Sequence, residues 1–162
     1  MTLPPSSIDL RPHELSVALL QPQIAPNAGN IGRLCVATGT RLHLVRPMGF
    51  VLSDKALRRS AMDYWPRLQV QVHDDTDAFV QAMAGRRIWL FTSKAKRSLW
   101  EADFADGDSL WFGSETHGLP AALIERHAGQ SIRIPQSRGE RCLNVSTAVG
   151  IGLYEALRQI RG

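Results

Sequence analysis

Cysteine is scarce in this chain of 162 residues, and its two cysteines, Cys35 and Cys142, have no metal-like spacing. A disulfide framework and a structural zinc site are therefore not expected, and a reducing cytoplasm is the expected setting. No apolar run approaches the roughly 18 residues of a membrane span, and the first residues lack the pattern of a secretory signal. We expect a soluble, cytoplasmic protein without a metal, in which Cys35 fills the core.

Phosphate-binding glycine motifs are also missing. The stretch "QPQIAPNAGNIGRLCVATG" follows the apolar run "SVALL" and has the outline of a strand, a loop and a helix. A dinucleotide site needs G-x-G-x-x-G there, but Asn27 occupies the first glycine position, and no G-x-x-x-x-G-K-[ST] run exists. No Ser-His-Asp or Cys-His arrangement suggests a covalent mechanism. The usual nucleotide-binding turns and covalent hydrolases are therefore excluded.

Lysine is rare as well, since 16 of the 19 basic residues are arginine and the net charge is +4. A guanidinium presents a planar fork that matches phosphate oxygens, which is compatible with a nucleic-acid partner. A solvated arginine-rich surface is the alternative. The arginines cluster between apolar segments, and one cluster continues into Tyr64 and Trp65, which favours a polyanion. The candidate RNA contacts among them are Arg58, Arg59, Arg138 and Arg141.

The chain alternates short apolar runs with helical patterns. Strands are predicted over 16–20, 41–45, 68–72, 87–91, 109–112 and 131–135, and helices over 29–39, 53–61, 75–84, 120–128 and the last segment. Alternation of this kind predicts an α/β fold with a mostly parallel sheet flanked by helices. Residues 1–14 form a flexible lead, and residues 15–162 form one domain.

The last helix carries two distinct faces. Val149, Leu153, Leu157 and Ile160 form an apolar stripe, and a strip of small residues (Ala148, Gly152 and Ala156) runs beside it. Each glycine in a helix interior costs about 1 kcal/mol relative to alanine, so something must approach the backbone closely. The neighbour is either a helix of the same domain or a helix of a second copy, and we favour the second copy.

Three polar loops follow predicted strands and are candidates for one site, because ligands bind beyond the carboxyl ends of parallel strands. The first holds Asn27, Asn30 and Arg33, of which Asn27 either caps a helix or binds a ligand. Arg33 follows Asn30 by one helical turn, and its cationic side chain suits a phosphate or an oxyanion.

The second loop, "WFGSETHGLP", contains Glu115, which either orients a donor or is a solvated carboxylate. His117 has a pKa near neutrality, but we interpret it as a surface residue. The third loop, 133–150, carries Arg138 and Arg141 before a helix that Asn144 or Ser146 can cap. The residues alone therefore predict a polar, arginine-bearing ligand site.

The sequence resembles the SPOUT superfamily of RNA methyltransferases, and within it the TrmL-like branch that methylates the ribose 2′-oxygen of the tRNA wobble nucleotide. The motifs are "PQIAPNAGNIGRLCVATG", "RPMGF" with "DKALRRSAMDYW", "FGSETHGLP" and "RIPQ…CLNVSTAVGIGLYEA", in order from about Leu15 to Gln159. The resemblance implies a deep trefoil knot in the C-terminal third and S-adenosylmethionine as methyl donor. The matching cofactor positions, used mainly through the main chain, are Phe91, Thr92, Gly113, Ile134, Cys142 and Leu143.

The same resemblance implies the residues on the RNA side. Arg33 is the family position credited with activating the 2′-hydroxyl, but a guanidinium with a pKa above about 12 is a poor base. We therefore expect Arg33 to stabilise the developing alkoxide or to grip the adjacent phosphate. The family's other positions in this group, besides the substrate-binding Asn27, are Asn30, Glu115, Asn144 and Ser146.

The resemblance also implies a homodimer, with the last helix at the contact and sites completed across it. The expected activity is 2′-O-methylation of nucleotide 34 in the anticodon stem-loop of tRNA. Two alternatives are 2′-O-methylation at another tRNA or rRNA site and a non-catalytic RNA- or nucleotide-binding module.

Overall fold

A computed structural model describes residues 9–52 and 63–161 of the chain. Its centre is a seven-stranded sheet in the order β3-β2-β1-β6-β4-β7-β5, in which every pair of neighbouring strands is parallel. The α/β class with a parallel sheet is therefore confirmed. The strands are β1 (Ser16–Leu20), β2 (Arg41–Val45), β3 (Val70–His73), β4 (Ile88–Phe91), β5 (Arg97–Ser98), β6 (Ser109–Phe112) and β7 (Ser131–Arg133).

Helices cover both faces of this sheet, so its central strands are apolar on both sides. The α-helices are α1 (Ala25–Thr38), α2 (Thr76–Ala82), α3 (Ala121–Arg126) and α4 (Val145–Ile160). On one face α1 and α4 pack over Leu19, Phe91 and Phe112, and Cys35 is fully buried there. Burial raises the pKa of the Cys35 thiol to about 12, as expected for a core cysteine. On the other face Phe79 and Leu123, from α2 and α3, pack over the opposite side of the strands.

Strand and helix boundaries differ from the sequence predictions, most clearly at β3, β7 and α1. β3 lies at Val70–His73 rather than 68–72, and β7 ends at Arg133, two residues before Pro135. β5 was not predicted, because its two polar residues carry no apolar signal. Helix α1 begins at Ala25 instead of residue 29, because Pro26 fits the first turn of a helix. The predicted helix over 53–61 lies outside the described residues.

The small-residue strip of α4 faces the protein's own sheet, so its interpretation as a contact with a second copy is wrong. A Cβ on Gly152 would lie 2.5 Å from the Phe91 ring and 3.5 Å from Phe112. These two rings stack with centroids 4.4 Å apart directly under the helix, which explains why glycine is needed. The apolar stripe is confirmed: Val149, Leu153 and Leu157 are buried. The outward side of α4 instead exposes Ile151 and Tyr154.

Within the described residues, no helix has the length and apolar character needed to cross a membrane.

Candidate functional site

A cavity of about 540 Å³ lies beyond the carboxyl ends of β4, β6 and β7. Its walls come from the loops that follow these three strands and from the first turns of α1 and α4. This is the edge at which parallel sheets bind ligands, and the volume lies in the range of small-molecule sites. All six positions matched to the family's cofactor site line this cavity: Phe91, Thr92, Gly113, Ile134, Cys142 and Leu143.

Glu115, from the second loop, caps helix α1. The N-cap residue of α1 is Ile24, which has no side chain able to accept a hydrogen bond. The Glu115 carboxylate accepts hydrogen bonds from the backbone amides of Gln23 at 2.8 Å and Ile24 at 3.2 Å. It also accepts one from the Asn27 side chain at 3.2 Å. Glu115 is therefore neither a solvated carboxylate nor free to act as a base, because both oxygens already hold the start of α1.

Asn27 and Asn144 join the first loop to the third. Asn27 is buried inside the first turn of α1, so its predicted role as the cap of that helix is wrong. Its Oδ1 accepts a hydrogen bond from the Asn144 Nδ2 at 3.1 Å. Asn144 caps α4, and its Oδ1 accepts from the Ser146 backbone amide at 2.9 Å and from the Ser146 hydroxyl at 2.5 Å. The four polar side chains thus form one network, of which Asn27, Glu115 and Asn144 line the cavity and Ser146 does not.

Gly113 allows the second loop to fold back on itself. Ser114 pairs with Gly118 in an isolated bridge, and the Ser114 hydroxyl accepts from the His117 amide at 3.0 Å. A Cβ on Gly113 would lie 1.9 Å from the Gly118 carbonyl carbon and 2.1 Å from the Leu119 nitrogen. No side chain fits in that space, so only glycine lets the loop close beside the cavity. His117 is exposed, as predicted, and it is one of the residues that line the cavity.

Arg33 and Asn30 do not line this cavity, whereas Asn27, from the same loop, does. Six helical residues separate Arg33 from Asn27, which places it about 9 Å further along α1 and about 120° around it. The Arg33 guanidinium instead lies 5.2 Å from the centroid of the Tyr64 ring, in cation–π geometry. The buried Tyr64 hydroxyl donates to the Gly29 carbonyl of the same helix. Arg33 is therefore held at the surface against Tyr64, outside the cavity lining.

The remaining predicted RNA contacts are less informative. Arg138 and Arg141 are exposed on the third loop, where the Arg141 carbonyl accepts a hydrogen bond from the Gln136 side chain. Arg58 and Arg59 lie outside the described residues. Lys94 and Arg133 line the cavity, but they were not selected from the sequence. A signal existed for Lys94, which lies three residues after the predicted strand 87–91, whereas Arg133 lies within the predicted strand 131–135.

The chain is similar to known proteins over most of its length. The model of the SpoU rRNA Methylase family matches residues 14–154. The tRNA (cytidine(34)-2′-O)-methyltransferase of Escherichia coli K12 is 44% identical over 147 residues, covering 90% of this chain and 94% of the relative.

Two solved structures share the fold at comparable coverage of this chain. One is described as "Structural insights into the 2-OH methylation of C/U34 on tRNA", with a TM-score of 0.87, 43% identity and coverage of 91% of this chain and 96% of that chain. The other is an AdoMet-bound rRNA methyltransferase from Sinorhizobium meliloti, with a TM-score of 0.81, 28% identity and coverage of 93% of this chain and 58% of that chain. The chain therefore belongs to the SpoU methylase family of the SPOUT superfamily.

Proposed function

We propose that this protein transfers a methyl group from S-adenosylmethionine to the ribose 2′-hydroxyl of nucleotide 34, the wobble position of tRNA, in the cytoplasm. The observation that carries the proposal is the cavity, whose wall is built by Glu115, Asn27 and Asn144 from three separate loops. The activity is that named for the Escherichia coli relative, which matches nearly the whole chain.

The cavity has the character that the methyl donor needs. Phe91, Phe112 and Ile134 give it apolar walls, and the loop of Cys142 and Leu143 supplies main-chain groups. Within the described residues, no hydrogen bond engages the backbone amides of Cys142 and Leu143, so they remain able to donate to a ligand. Bound S-adenosylmethionine supplies a sulfonium-activated methyl group, and the protein's own task is to hold the ribose oxygen in line with it.

Arg33 provides electrostatic assistance in this scheme. Its guanidinium stabilises the alkoxide that develops as the 2′-hydroxyl loses its proton, or grips the adjacent phosphate. Asn30 lies one turn before it on α1 and is exposed on the neighbouring surface. Glu115, Asn144 and Ser146 act as positioning residues. Glu115 caps α1, Asn144 donates to Asn27 of α1, and the Ser146 hydroxyl donates to Asn144.

The position of Arg33 outside the cavity of its own chain supports a homodimer with shared sites. In such a dimer the partner subunit's Arg33 completes the cavity, and the exposed Ile151 and Tyr154 on α4 lie at the contact. The trefoil knot implied by the family stays a prediction, as does the anticodon stem-loop as the bound part of tRNA.

Subunit mixing tests the shared site. Arg33→Ala and Asn144→Ala homodimers are each expected to lose most activity. If each site takes Arg33 from one subunit and Asn144 from the other, one of the two sites in a mixed dimer contains both residues, and activity returns. If both residues act within one subunit, every site in the mixed dimer carries a defect and no activity returns. The Arg33→Ala protein is also expected to bind S-adenosylmethionine with unchanged affinity by calorimetry.

Nucleoside mass mapping of tRNA from a deletion strain tests the proposed target. Loss of a 2′-O-methyl group at nucleotide 34 alone is the expected result, whereas loss at another tRNA or rRNA site would replace the target with that site. Absence of S-adenosylmethionine binding by the purified protein would instead favour a non-catalytic RNA-binding module.

A further inference from the structure

Trp100 is the most exposed large apolar side chain among the described residues. Its side chain is 76% exposed, whereas Trp89 and Trp111 are 3% and 1% exposed. Leaving an indole in water forfeits the stabilisation that its burial would give. A single exposed apolar side chain is not unusual by itself, so the inference depends on the backbone that carries the indole and on the charges beside it.

The backbone that carries Trp100 is fixed. Trp100 is the middle residue of a single 3₁₀ turn, Leu99–Glu101, which follows the edge strand β5. A capping box closes this turn: the Ser98 hydroxyl accepts from the Trp100 amide at 3.1 Å, and the Glu101 carboxylate accepts from the Ser98 amide at 2.7 Å. Leu99 is buried in the core beneath it. The indole is therefore presented outward on a rigid support, which lowers the entropic cost of binding.

Three basic residues lie on the segments next to this support, Lys94 and Lys96 before β5 and Arg133 on the paired strand β7. Lys94, Lys96 and Arg133 are exposed, and within the described residues none of them forms an ion pair. Lys94 and Arg133 line the rim of the cavity. Ser98 is the register partner of Arg133, so the Cα of Trp100 lies within about 13 Å of the Cα of Arg133. One short strand of RNA is long enough to contact both.

Of the nearby acidic groups, Asp103 lies 3.7 Å from Arg97 and 3.8 Å from Arg87. The Glu101 carboxylate accepts a hydrogen bond in the capping box but, within the described residues, forms no ion pair. The three cations outnumber this one carboxylate, so the charges without an ion pair sum to a positive value at this edge of the sheet, which suits a phosphate backbone.

We propose that Trp100, together with Lys94, Lys96 and Arg133, forms an RNA-binding surface on which an unpaired base of the substrate stacks against the indole. The proposal rests on the proposed function, because it takes RNA as the substrate whose reacting ribose enters the adjacent cavity. The indole face binds any base by stacking, and the three cations contact the neighbouring phosphates. This surface therefore orients the RNA loop and takes no part in methyl transfer.

Binding of an anticodon stem-loop RNA to the full-length protein tests this surface. Trp100→Ala is expected to weaken binding about tenfold, which is about 1.4 kcal/mol and is typical of the loss of one base–aromatic stack. Trp100→Phe retains an aromatic face and is expected to stay within about threefold of the wild type. Leu10→Ala, which removes another exposed apolar side chain at 41% exposure, is the matched control and is expected to bind normally.

Tryptophan fluorescence gives a second readout that does not depend on catalysis. The stem-loop RNA is expected to quench the Trp100 emission, and a fully paired RNA duplex of the same length is not. Removal of Lys94, Lys96 or Arg133 is expected to reduce the salt dependence of binding by slightly less than one unit of slope each.

The outcomes separate this surface from the proposed function. If the wild-type protein binds the RNA, and Trp100→Ala binds it equally well and shows the same fluorescence quenching, the proposed RNA-binding surface is wrong and the proposed function stands. If the wild-type protein binds no RNA, both are overturned. A Trp100→Ala protein that changes its oligomeric state in ultracentrifugation would show that the indole contacts a second copy instead, which also overturns the surface.

Discussion

The Asn144 side chain donates a hydrogen bond to the Asn27 side chain at 3.1 Å and thereby joins residues 117 positions apart. The same Asn27 donates to Glu115. Three loops that are remote in the chain are thus joined by amide and carboxylate groups. These bonds explain how three short polar motifs come to lie around one cavity.

Asn27→Ala breaks both of these bonds and leaves the Asn144 amide without its partner. We expect a loss of about 1–3 kcal/mol in the free energy of unfolding, because Asn27 is buried, and a fall in kcat of tenfold or more, because α1 and α4 lose their register. Chemical denaturation and single-turnover methyl transfer measure the two effects. Gln71→Ala, at an exposed amide on the edge strand β3, is the control and should change neither. Unchanged turnover in Asn27→Ala would refute the positioning role of the network.

Gly113→Ala places a methyl group where the Gly118 backbone already lies, at 1.9 Å. The loop cannot close, so we expect a destabilisation of at least about 2 kcal/mol and a large loss of S-adenosylmethionine affinity in calorimetry. A Cβ on Gly129 meets no atom within 4 Å, so Gly129→Ala serves as the matched control and should stay within about 0.5 kcal/mol of the wild type. Normal cofactor affinity in Gly113→Ala would contradict the assigned cavity.

Gly152→Ala and Gly150→Ala are expected to change stability in opposite directions. A Cβ at Gly152 meets the buried Phe91 ring at 2.5 Å, whereas one at Gly150 has only Leu34 at 4.0 Å. Gly152→Ala should destabilise by about 1–3 kcal/mol and weaken cofactor binding, since Phe91 lines the cavity. Gly150→Ala should stabilise by about 0.5–1 kcal/mol. Thermal unfolding measures both changes in stability. A Gly152→Ala protein that keeps its stability but becomes monomeric would show that the small-residue strip is a dimer contact after all.

A buried histidine pair makes stability depend on pH. The His43 Nδ1 lies 3.0 Å from the His73 Nε2, next to Phe79. Burial, reinforced by the charge of His73, lowers the pKa of His43 from 6.5 to about 4, and burial also lowers the pKa of His73. The unfolded chain therefore binds more protons than the folded one between these values, and stability falls as the pH drops from about 6.5 towards 4.

The histidine contribution levels off below pH 4. Between pH 7.5 and pH 5, the lowered pKa of His43 alone reduces the free energy of unfolding by about 2 kcal/mol. Denaturation curves at pH 7.5, 6 and 5 measure it. His43→Gln should show a flatter dependence over this interval, and an equally steep dependence in that variant would assign the effect to other groups.

Sequence patterns predicted the sheet well because its strands are apolar on both faces. Six strands were placed from runs such as 16–20 and 109–112, and the stripe of α4 emerged from helical spacing. β5 escaped because an edge strand of Arg97 and Ser98 has no hydrophobic signature. The early start of α1 escaped because its cap, Glu115, comes from a loop 91 residues beyond Ile24.

The site shows the same division between local and long-range information. Residues that line the cavity through the main chain were found only from the family resemblance, since a backbone contact leaves no side-chain pattern. The small residues at Ala148, Gly152 and Ala156 did indicate a close approach, but the pattern cannot name the neighbour, and the Phe91 and Phe112 rings proved to be that neighbour. Arg33 was placed on the correct helix, while its direction depended on Tyr64.

The most direct test uses purified protein, unmodified tRNA and S-adenosylmethionine with an isotope-labelled methyl group. After digestion, mass spectrometry is expected to find the label on the ribose 2′-oxygen of nucleotide 34, and the Arg33→Ala protein is expected to leave that position unlabelled. Label on a base, label at another nucleotide, or no transfer by a protein that binds both substrates would contradict the account.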